Sequence, residues 1–487
     1  MAEKRSVIHG SGGALALALA AAALALPAAA GSAPRKLPHK VGLGIAGGSK
    51  AHELACGKTR RVHEVRVGQR VVASVRVANR RRGTGAAALR RARLRLDRCD
   101  RGQWRRSASI ALGPAPDRRA AVRRFRRALE LSDPEVLRLR AVVSGDGRRR
   151  PVVSRPAYVR ALATDVAEIP VSFRVVNRNG SRLPCMADGQ AYTVRGRLIG
   201  SQAALGRGGG IGVYLHQIGL ASQYWDFKAV RGYDFAGELA RRGHVSLVLD
   251  QLGYGASSRP DGRQVCYGSE ADMASQIAGR LKRGDYDAGG RPAPRFGRVA
   301  LGSNGAAGFM TQPAAYSTGN VDALMVTGWA DQGYSTDIYK TATEENVTCA
   351  GGGQTKDGQP GYVYTPAPDV SFEHAYFADA DPSVVRAARA TLRVLGPCGE
   401  PQSALAGVAA DQANVPDIRA PVLLVYGTKD AFFDDPRSAG ASQRDLYSGS
   451  QDVTLAFVEG AGNALALERS APHFRDLVSD WLAARGF

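Results

Sequence analysis

The sequence lacks several features that would assign it to a common class of protein. It has no Cys-x-x-Cys pair, and none of its six cysteines stands near clustered histidines, so a zinc site is not expected. No signature of a nucleic-acid-binding module is present. Beyond the N-terminal segment, no apolar run approaches the ~20 residues that a membrane-spanning helix needs. We therefore expect no metal, no cofactor, no nucleic-acid partner and no transmembrane segment in the mature chain.

Acidic residues are scarce in one part of the chain only. Residues 35–160 contain 34 lysines and arginines against 9 aspartates and glutamates, although the net charge of the whole chain is +22. The basic character therefore belongs to this segment and not to the rest of the chain. Such a segment either contacts an anionic polymer or a phosphate-rich cell surface, or it is a solvated face that binds nothing. Both interpretations stay open from the sequence.

The N-terminal segment has the order of features of an export signal. Lys4 and Arg5 precede the apolar run Ala14–Leu26, and small residues continue through Ala33. The run has 13 residues and is mostly alanine, so it is too short to anchor the chain in a bilayer. This pattern predicts a cleaved signal peptide over residues 1–33 and a secreted, extracellular protein.

The even number of cysteines favours disulfide bonds, because an exported chain folds in an oxidising environment. Six cysteines allow 15 pairings. Proximity along the sequence suggests two pairs and leaves the third by difference: Cys56–Cys99, Cys349–Cys398 and Cys185–Cys266.

The pattern of apolar residues changes near residue 166. Residues 35–165 show two-residue alternation, with Leu94 and Leu96 between arginines, and predict a small β-sandwich-like domain. Residues 166–487 alternate short apolar strands with amphipathic helices, which predicts a mostly parallel sheet with helices on both faces. Residues 331–405 interrupt this alternation and are interpreted as an inserted cap, which either covers a binding pocket or is an inert surface excursion.

Four segments in residues 190–487 each follow an apolar run: 215–219 (LHQIG), 249–255 (LDQLGYG), 425–430 (VYGTKD) and 460–463 (GAGN). The order of these turns resembles the α/β-hydrolase family, especially secreted bacterial esterases and lipases. The resemblance implies acyl-transfer chemistry by a serine, a histidine and a carboxylate. It also implies a small ester or acyl ligand, with no cofactor.

The residue at the nucleophile position differs from the serine that the resemblance implies. No Gly-x-Ser-x-Gly elbow occurs in the chain, and the gapless alignment after Val299–Leu301 places Gly305 where the serine belongs. Glycine cannot form an acyl-enzyme, because it has no side chain. A shifted alignment makes Ser303 the nucleophile, but it puts Leu301 at a position that needs a small residue.

The position of the base departs as well. Asn463 stands where the resemblance implies the histidine, and asparagine has no nitrogen that titrates near neutral pH. Asp430 corresponds to the acid of the triad. The backbone of Ala306 and of Gln217 or Ile218 is expected to form an oxyanion nest, with His216 bracing the loop.

Three hypotheses follow. The first is a catalytically degenerate hydrolase that is retained as a binding or scaffold protein at the cell exterior. The second is an active esterase that uses Ser303 with a non-standard base. The third places the function in the arginine-rich region, as an anionic-polymer-binding protein. The predicted fold class is α/β, an α/β-hydrolase fold with an inserted cap, preceded by a small β-rich domain.

Overall fold

The structure is a computed structural model that describes residues 35–36, 39–79, 92–100, 102–112, 122–143, 149–366 and 370–487. The predicted signal peptide at residues 1–33 lies outside the described residues. In the described part, no helix is both long enough and apolar enough to cross a membrane.

The N-terminal region is built from β-strands that form two facing sheets. One sheet has the order β3-β4-β12-β9-β6-β7, and the other has the order β2-β5-β8. Inward-facing side chains of both sheets, among them Val71, Leu94 and Leu139, share one hydrophobic cluster, as a β-sandwich requires. The strands are β1 (Arg35–Lys36), β2 (His39–Ala46), β3 (Ser49–Leu54), β4 (Thr59–Arg66), β5 (Arg70–Asn79), β6 (Ala92–Asp100), β7 (Gln103–Ala111), β8 (Val122–Glu130), β9 (Glu135–Val143), β10 (Arg149–Arg150), β11 (Val152–Val153) and β12 (Ala157–Leu162).

In the larger sheet, the alternating leucines and arginines of β6 and β9 lie on opposite faces. Leu94 and Leu139 point into the sandwich, while the arginines of the same strands point outward and surround one carboxylate. Asp97 is fully buried and forms ion pairs with Arg95, Arg138 and Arg140. These three guanidinium groups hold the pKa of Asp97 below its ordinary value, against the opposing effect of burial. Part of the positive charge of this region is therefore neutralised within the fold.

The C-terminal region is centred on an eight-stranded sheet of order β13-β14-β16-β15-β17-β18-β22-β23. Only β14 runs antiparallel to its neighbours, and the remaining pairs are parallel. Its elements are β13 (Val166–Val176), β14 (Ala191–Ser201), α1 (Gln202–Arg207), β15 (Gly210–Leu215), α2 (Phe235–Arg241), β16 (Ser246–Asp250), α3 (Tyr267–Arg283), β17 (Arg298–Asn304), α4 (Gly308–Ser317), β18 (Ala323–Thr327), α5 (Thr336–Ala350), β19 (Gln354–Lys356), β20 (Gln359–Tyr364), α6 (Phe372–Tyr376), α7 (Pro382–Thr391), β21 (Leu395–Pro397), α8 (Gly399–Asn414), β22 (Val422–Gly427), α9 (Pro436–Leu446), β23 (Val453–Val458) and α10 (Ala471–Ala484).

The central strands are buried on both faces, which explains their continuous apolar sequences. Every residue of β16, β18 and β22 is buried, as expected for parallel strands that have helices on both sides. This sheet order with one antiparallel strand is that of the α/β-hydrolase fold. The predicted fold class, a β-rich region followed by an α/β-hydrolase fold, is confirmed.

The cap is inserted between β18 and β22. It contains α5 to α8 and a three-stranded sheet of order β19-β20-β21, so it has more regular structure than its glycine- and proline-rich composition suggests. Helix α8 packs against α3 and α4 of the core, and α5 packs against α8. The cap therefore covers the edge of the sheet at which the strands β15, β17 and β18 end.

All three predicted disulfide pairings are confirmed: Cys56–Cys99, Cys185–Cys266 and Cys349–Cys398. No cysteine among the described residues is free. Since one bond closes within the N-terminal sandwich, one within the core and one within the cap, each part of the fold carries its own covalent constraint.

Candidate functional site

The four turns that carry the sequence resemblance meet at one edge of the eight-stranded sheet. They follow the carboxyl ends of β15, β16, β22 and β23, and parallel strands bring such ends together. The structure joins Gln217, Asn463 and Asp430 by hydrogen bonds and places Gly305 beside the Gln217 carboxamide, although these residues are far apart in the sequence.

Gly305 occupies the turn that follows β17. Its φ angle is +53°, in the left-handed region that glycine adopts without strain. A side chain at this position meets a second obstacle, because a Cβ atom built on Gly305 would overlap Oε1 of Gln217. The space that a nucleophile would need at this turn is therefore filled by the carboxamide of another loop.

The Gln217 carboxamide also uses the backbone donor that the sequence assigned to an oxyanion nest. Its Oε1 accepts from the Ala306 N–H at 3.4 Å. Its Nε2 donates to Oδ1 of Asn304 and to Oδ1 of Asn463, each at 3.1 Å. The Ala306 N–H thus donates to an uncharged amide oxygen, at the place where an oxyanion hole would hold a developing oxyanion.

Asn463 links this amide group to the carboxylate. Its Nδ2 lies 3.0 Å from Oδ2 of Asp430 and 3.1 Å from the Gly328 carbonyl oxygen. Oδ1 of Asp430 accepts from the Phe432 N–H at 3.0 Å. Burial raises the pKa of Asp430 to about 7, because these neutral donors only partly offset the loss of water. Burial therefore favours the protonated form of this carboxyl group.

Ser303 lies within β17 and not at the turn. The strand extends through Asn304, three residues beyond the apolar run Val299–Leu301 from which it was predicted. The Ser303 hydroxyl is fully buried, with Oγ 3.1 Å from Oγ1 of Thr311 and 3.4 Å from the Met325 carbonyl oxygen. None of its hydrogen-bond partners is a base.

His216 lies in the loop after β15 and is held there by two contacts. The backbone N–H of His216 donates to Oε1 of Gln251 at 2.7 Å, and Nδ1 of His216 lies 3.2 Å from the Gln217 carbonyl oxygen. The ring stacks edge-on against Tyr254, with 4.6 Å between the centroids. Burial lowers the pKa of His216 well below its ordinary value, so the imidazole is neutral at physiological pH.

A cavity of about 620 Å³ lies directly above the amide group. Gln217, Ile218 and Ala306 form its floor, while α5 and α8 of the cap form its walls. Its lining is mostly apolar and aromatic, and its volume lies within the range of small-molecule sites, roughly 300–1,000 Å³. Exposed apolar side chains at its mouth, Tyr339 and Leu405, leave the cavity accessible from solvent.

Two buried carboxyl groups of the cavity wall were not predicted from the sequence. Asp331 lies in the loop after β18, at the same edge of the sheet as the other loops, and this placement is a signal that could have identified it. Glu345 lies within α5, and no feature of the sequence indicates that a cap helix turns this side chain inward. Among the described residues, no cluster of three or more histidine, cysteine, aspartate or glutamate side chains is suited to hold a metal ion.

No protein-family model and no curated protein matches this chain. Solved structures do match in fold. A monoglyceride lipase from Saccharomyces cerevisiae is 13% identical, covers 64% of this chain and 96% of its own, and has a TM-score of 0.46. An esterase from Thermogutta terrifontis is 16% identical, with coverage of 64% and 98% and a TM-score of 0.44. An enol-lactonase from Burkholderia xenovorans is 16% identical, with coverage of 60% and 96% and a TM-score of 0.43. Likeness at this level says nothing about what this chain binds.

Proposed function

We propose that this protein binds a small, largely apolar ligand in the cavity beneath the cap and does not hydrolyse esters. The observation that carries the proposal is the Gln217 carboxamide, which fills the space above Gly305 and accepts the Ala306 N–H. The scaffold of a hydrolase is retained, but the position of the attacking atom is occupied by an uncharged amide. Ligand binding and acyl transfer are thereby separated.

The proton-transfer chemistry of the serine mechanism is missing at two positions. Gly305 supplies no hydroxyl, and the amide of Asn463 cannot accept the proton that an attacking serine would release. In serine hydrolases, loss of one member of the triad lowers turnover by roughly 10⁴–10⁶-fold. Loss of both nucleophile and base leaves no route for the usual acyl-enzyme.

The alternative with Ser303 as nucleophile has less support. The Ser303 hydroxyl is fully buried in β17 and points to Thr311 and the Met325 carbonyl oxygen. To attack a ligand in the cavity it would have to leave the sheet, and no imidazole lies within hydrogen-bond reach of its Oγ among the described residues. We therefore propose that Ser303 is a structural residue.

Export is part of the proposal. The described cysteines are all paired, which is the usual state in an oxidising compartment and rare in the cytosol. Together with the signal-like segment at residues 1–33, this supports a protein that acts outside the cytoplasm.

Restoring the missing groups tests the assignment of the site. The triple variant Gln217→Gly, Gly305→Ser, Asn463→His removes the obstructing carboxamide and supplies a hydroxyl and an imidazole. We expect this variant to react with a fluorophosphonate probe and to hydrolyse p-nitrophenyl butyrate, while the native protein and Ser303→Ala share the uncatalysed background rate. The double variant that keeps Gln217 is the matched control and should label more weakly, because the new Cβ meets Oε1 of Gln217.

Two outcomes would overturn the proposal. One is ester hydrolysis by the native protein that disappears in Ser303→Ala. The other is a folded triple variant that no fluorophosphonate labels, since Gly305 would then not occupy the elbow.

Binding is tested by titrating the native protein with octyl butyrate and recovering the ester intact. Ala342→Trp, which fills the cavity, should abolish binding, whereas Ala390→Trp on the exposed face of α7 should not.

A specific observation favours a second function, in the N-terminal sandwich. On the outward face of the β2-β5-β8 sheet, Arg76 lies directly opposite Arg124 in the strand register, and Arg126 and Lys40 are exposed on the same face. Like charges placed opposite each other destabilise a sheet, and none of the three arginines forms an ion pair with another described residue. A polymer carrying repeated anionic groups would neutralise this face.

Salt-dependent chromatography tests the second function. The variant Arg76→Ser, Arg124→Ser, Arg126→Ser should elute from immobilised heparin at a lower salt concentration than the native protein. A matched control removes three exposed arginines that already have carboxylate partners: Arg241, Arg389 and Arg437. Equal shifts in the two variants would show only an effect of net charge and would contradict a specific face.

A further inference from the structure

The electrostatic character of the cavity restricts its ligand. Three carboxyl groups belong to the described lining residues, those of Asp331, Asp337 and Glu345, and no lysine or arginine does. The one lining histidine, His374, already has a partner, since its Nε2 lies 2.9 Å from Oδ2 of Asp337. The cavity therefore presents negative and neutral groups to whatever it holds.

Aromatic rings form a continuous wall of the same cavity. The centroids of Phe309 and Trp329 are 4.4 Å apart, those of Trp329 and Tyr334 are 5.6 Å apart, and those of Tyr334 and Tyr339 are 6.1 Å apart. The chain of rings runs from the floor, near Ala306, to the exposed mouth at Tyr339. The negative faces of aromatic rings attract cations, most strongly where water is excluded.

We propose that the ligand carries an ammonium cation, which is held between this aromatic wall and the carboxyl groups of Asp331 and Glu345. This proposal rests on the proposed function of the cavity as a binding site and adds the chemical class of the ligand, an alkylammonium compound with an apolar tail. The apolar residues of α5 and α8 would enclose the tail.

Glu345 is a buried carboxyl group with no positive charge among its described neighbours. Its side chain is buried, and Oε1 accepts from Oγ1 of Thr365 at 2.5 Å. The titratable groups around it are Glu344 on its own helix, Tyr267 on α3, Tyr376 on α6 and Glu400 on α8, none of which can carry a positive charge. Burial raises the pKa of Glu345 to about 8 as a result.

Asp331 is held in the same way, by neutral donors only. Its Oδ2 accepts from Nε2 of Gln443 at 2.8 Å and from Nε2 of Gln312 at 3.3 Å, and its Oδ1 accepts from Nε1 of Trp329 at 3.3 Å. The neighbouring carboxyl group of Asp411, whose pKa is raised well above its ordinary value by burial and by Asp331, holds the proton of this pair and is also neutral. An incoming ammonium would be the first positive charge at these carboxyl groups, whereas an alkyl carboxylate would add another negative one.

Calorimetric titration of the full-length, disulfide-bonded protein tests the proposal with two matched pairs of probes. Choline and 3,3-dimethylbutan-1-ol share a shape and differ in charge, and octyltrimethylammonium and octan-1-ol share an eight-carbon chain. We expect each cation to bind at least tenfold more tightly than its neutral counterpart at pH 8. Cation affinity should rise by up to tenfold per pH unit between pH 6 and 8, because binding releases the Glu345 proton, while the affinity of the alcohols should stay constant.

Variants separate a charge effect from a loss of structure. Glu345→Gln should weaken octyltrimethylammonium binding about tenfold and remove its pH dependence, while octan-1-ol binds as before. Glu373→Gln, a carboxylate of the cap that is paired with Arg389 outside the cavity, should change neither affinity. If octan-1-ol binds as tightly as the cation, the cationic ligand is refuted and the binding cavity stands. If neither probe binds, the cavity proposal is refuted as well.

Discussion

Asn463 and Asp430 are joined by one hydrogen bond, from Nδ2 to Oδ2 at 3.0 Å, at the junction of the loops after β22 and β23. In a working triad, an imidazole at this position becomes positively charged during catalysis and stabilises the carboxylate. The amide of Asn463 carries no charge, and Asp430 is completely enclosed. The Asp430 carboxyl group therefore accepts hydrogen bonds from neutral donors and receives no positive charge from Asn463.

The absence of a positive charge next to the buried Asp430 carboxyl group predicts that the stability of the protein depends on pH. Burial raises the pKa of Asp430 to about 7, from an ordinary value near 3.8. The resulting contribution to stability is fully present below the unfolded-state pKa and is lost as the pH rises through the raised one. Asp430→Asn should therefore increase the free energy of unfolding at pH 8 by roughly 1–3 kcal/mol and have little effect near pH 4. Urea unfolding at both pH values measures this difference.

The matched control for this prediction is Asp445→Asn, which removes an exposed carboxylate. It should leave the pH profile unchanged. Asp430→Asn should also retain the fold, since the new side chain still offers an oxygen to Asn463. A variant that is equally destabilised at both pH values would contradict a pKa of Asp430 that folding raises.

A second pH-dependent contact joins the cap to the core. The carboxyl group of Glu270 on α3 faces that of Glu400 on α8, and the Tyr254 hydroxyl donates to Oε1 of Glu400 at 2.9 Å. Burial and the neighbouring carboxyl group raise the pKa of Glu270, so the pair retains a proton at neutral pH. Its stabilising effect is therefore present at acidic pH and lost as the pH rises.

Replacing one member of this pair with an amide should remove the sensitivity. Glu400→Gln can donate to the Glu270 carboxylate and still accept from Tyr254, so we expect it to stabilise the protein by roughly 1–3 kcal/mol at pH 9 and less at pH 5. The buried ammonium of Lys356, whose pKa is lowered to about 8, faces the same group and deprotonates over the same range. Glu459→Gln, an exposed carboxylate, serves as the control. An identical decrease in stability between pH 5 and 9 in native and Glu400→Gln protein would contradict this assignment.

The alternation of strands and helices and the glycine in the turn after β17 could be predicted, because each depends on local sequence. Short apolar runs such as Val422–Tyr426, bounded by turn residues, indicate buried strands, and the turns after them carry small residues. Gly305 and Asn463 stood out because they lack the chemical groups that those turns usually present. The disulfide pairings followed from proximity along the chain.

The sequence could not predict that the Gln217 carboxamide occupies the space above Gly305, because this depends on the direction of the Gln217 side chain. Gln217 and Asn463 are 246 residues apart, and nothing local indicates that the two amides meet. The inward direction of Glu345 likewise depends on how the cap packs on the core. The cap itself resembled an irregular excursion, since its glycine and proline content hides the helical periods of α5 and α8.

A buried ion cluster holds the N-terminal sandwich against the C-terminal region. Arg160 on β12 is almost completely buried, with its guanidinium 2.9 Å from Oδ1 of Asp476 on α10, and the same carboxylate lies 3.1 Å from Arg242. Removal of one partner from such a group leaves buried charge without compensation. We expect Asp476→Ala to lower the free energy of unfolding by about 3 kcal/mol, measured by thermal and urea unfolding. Asp445→Ala removes a carboxylate from an exposed ion pair and should cost less than 1 kcal/mol. Equal losses in both variants would show that the buried cluster contributes nothing special.

The Cys349–Cys398 bond is expected to control the shape of the cavity. Cys349 lies in the last turn of α5 and Cys398 directly precedes α8, so the bond ties together the two helices that form the cavity walls. A cross-link over 49 residues typically stabilises a fold by about 2–4 kcal/mol. Because this bond joins cap segments to each other and not to the strands of the core, its loss should loosen the walls before it affects the eight-stranded sheet.

Replacing both cysteines with alanine should therefore weaken octan-1-ol binding about tenfold or more and expose residues 331–405 to limited proteolysis, while the sheet region remains protected. The matched variant Cys56→Ala, Cys99→Ala removes a bond of similar span, 43 residues, from the N-terminal sandwich. It should lower the stability of that region and leave the octan-1-ol affinity unchanged, since no described residue of the sandwich lines the cavity. Equal loss of binding in both variants would mean that the cavity responds to global stability. Loss confined to Cys349→Ala, Cys398→Ala would show that the walls of the binding site are held by the cap's own covalent link.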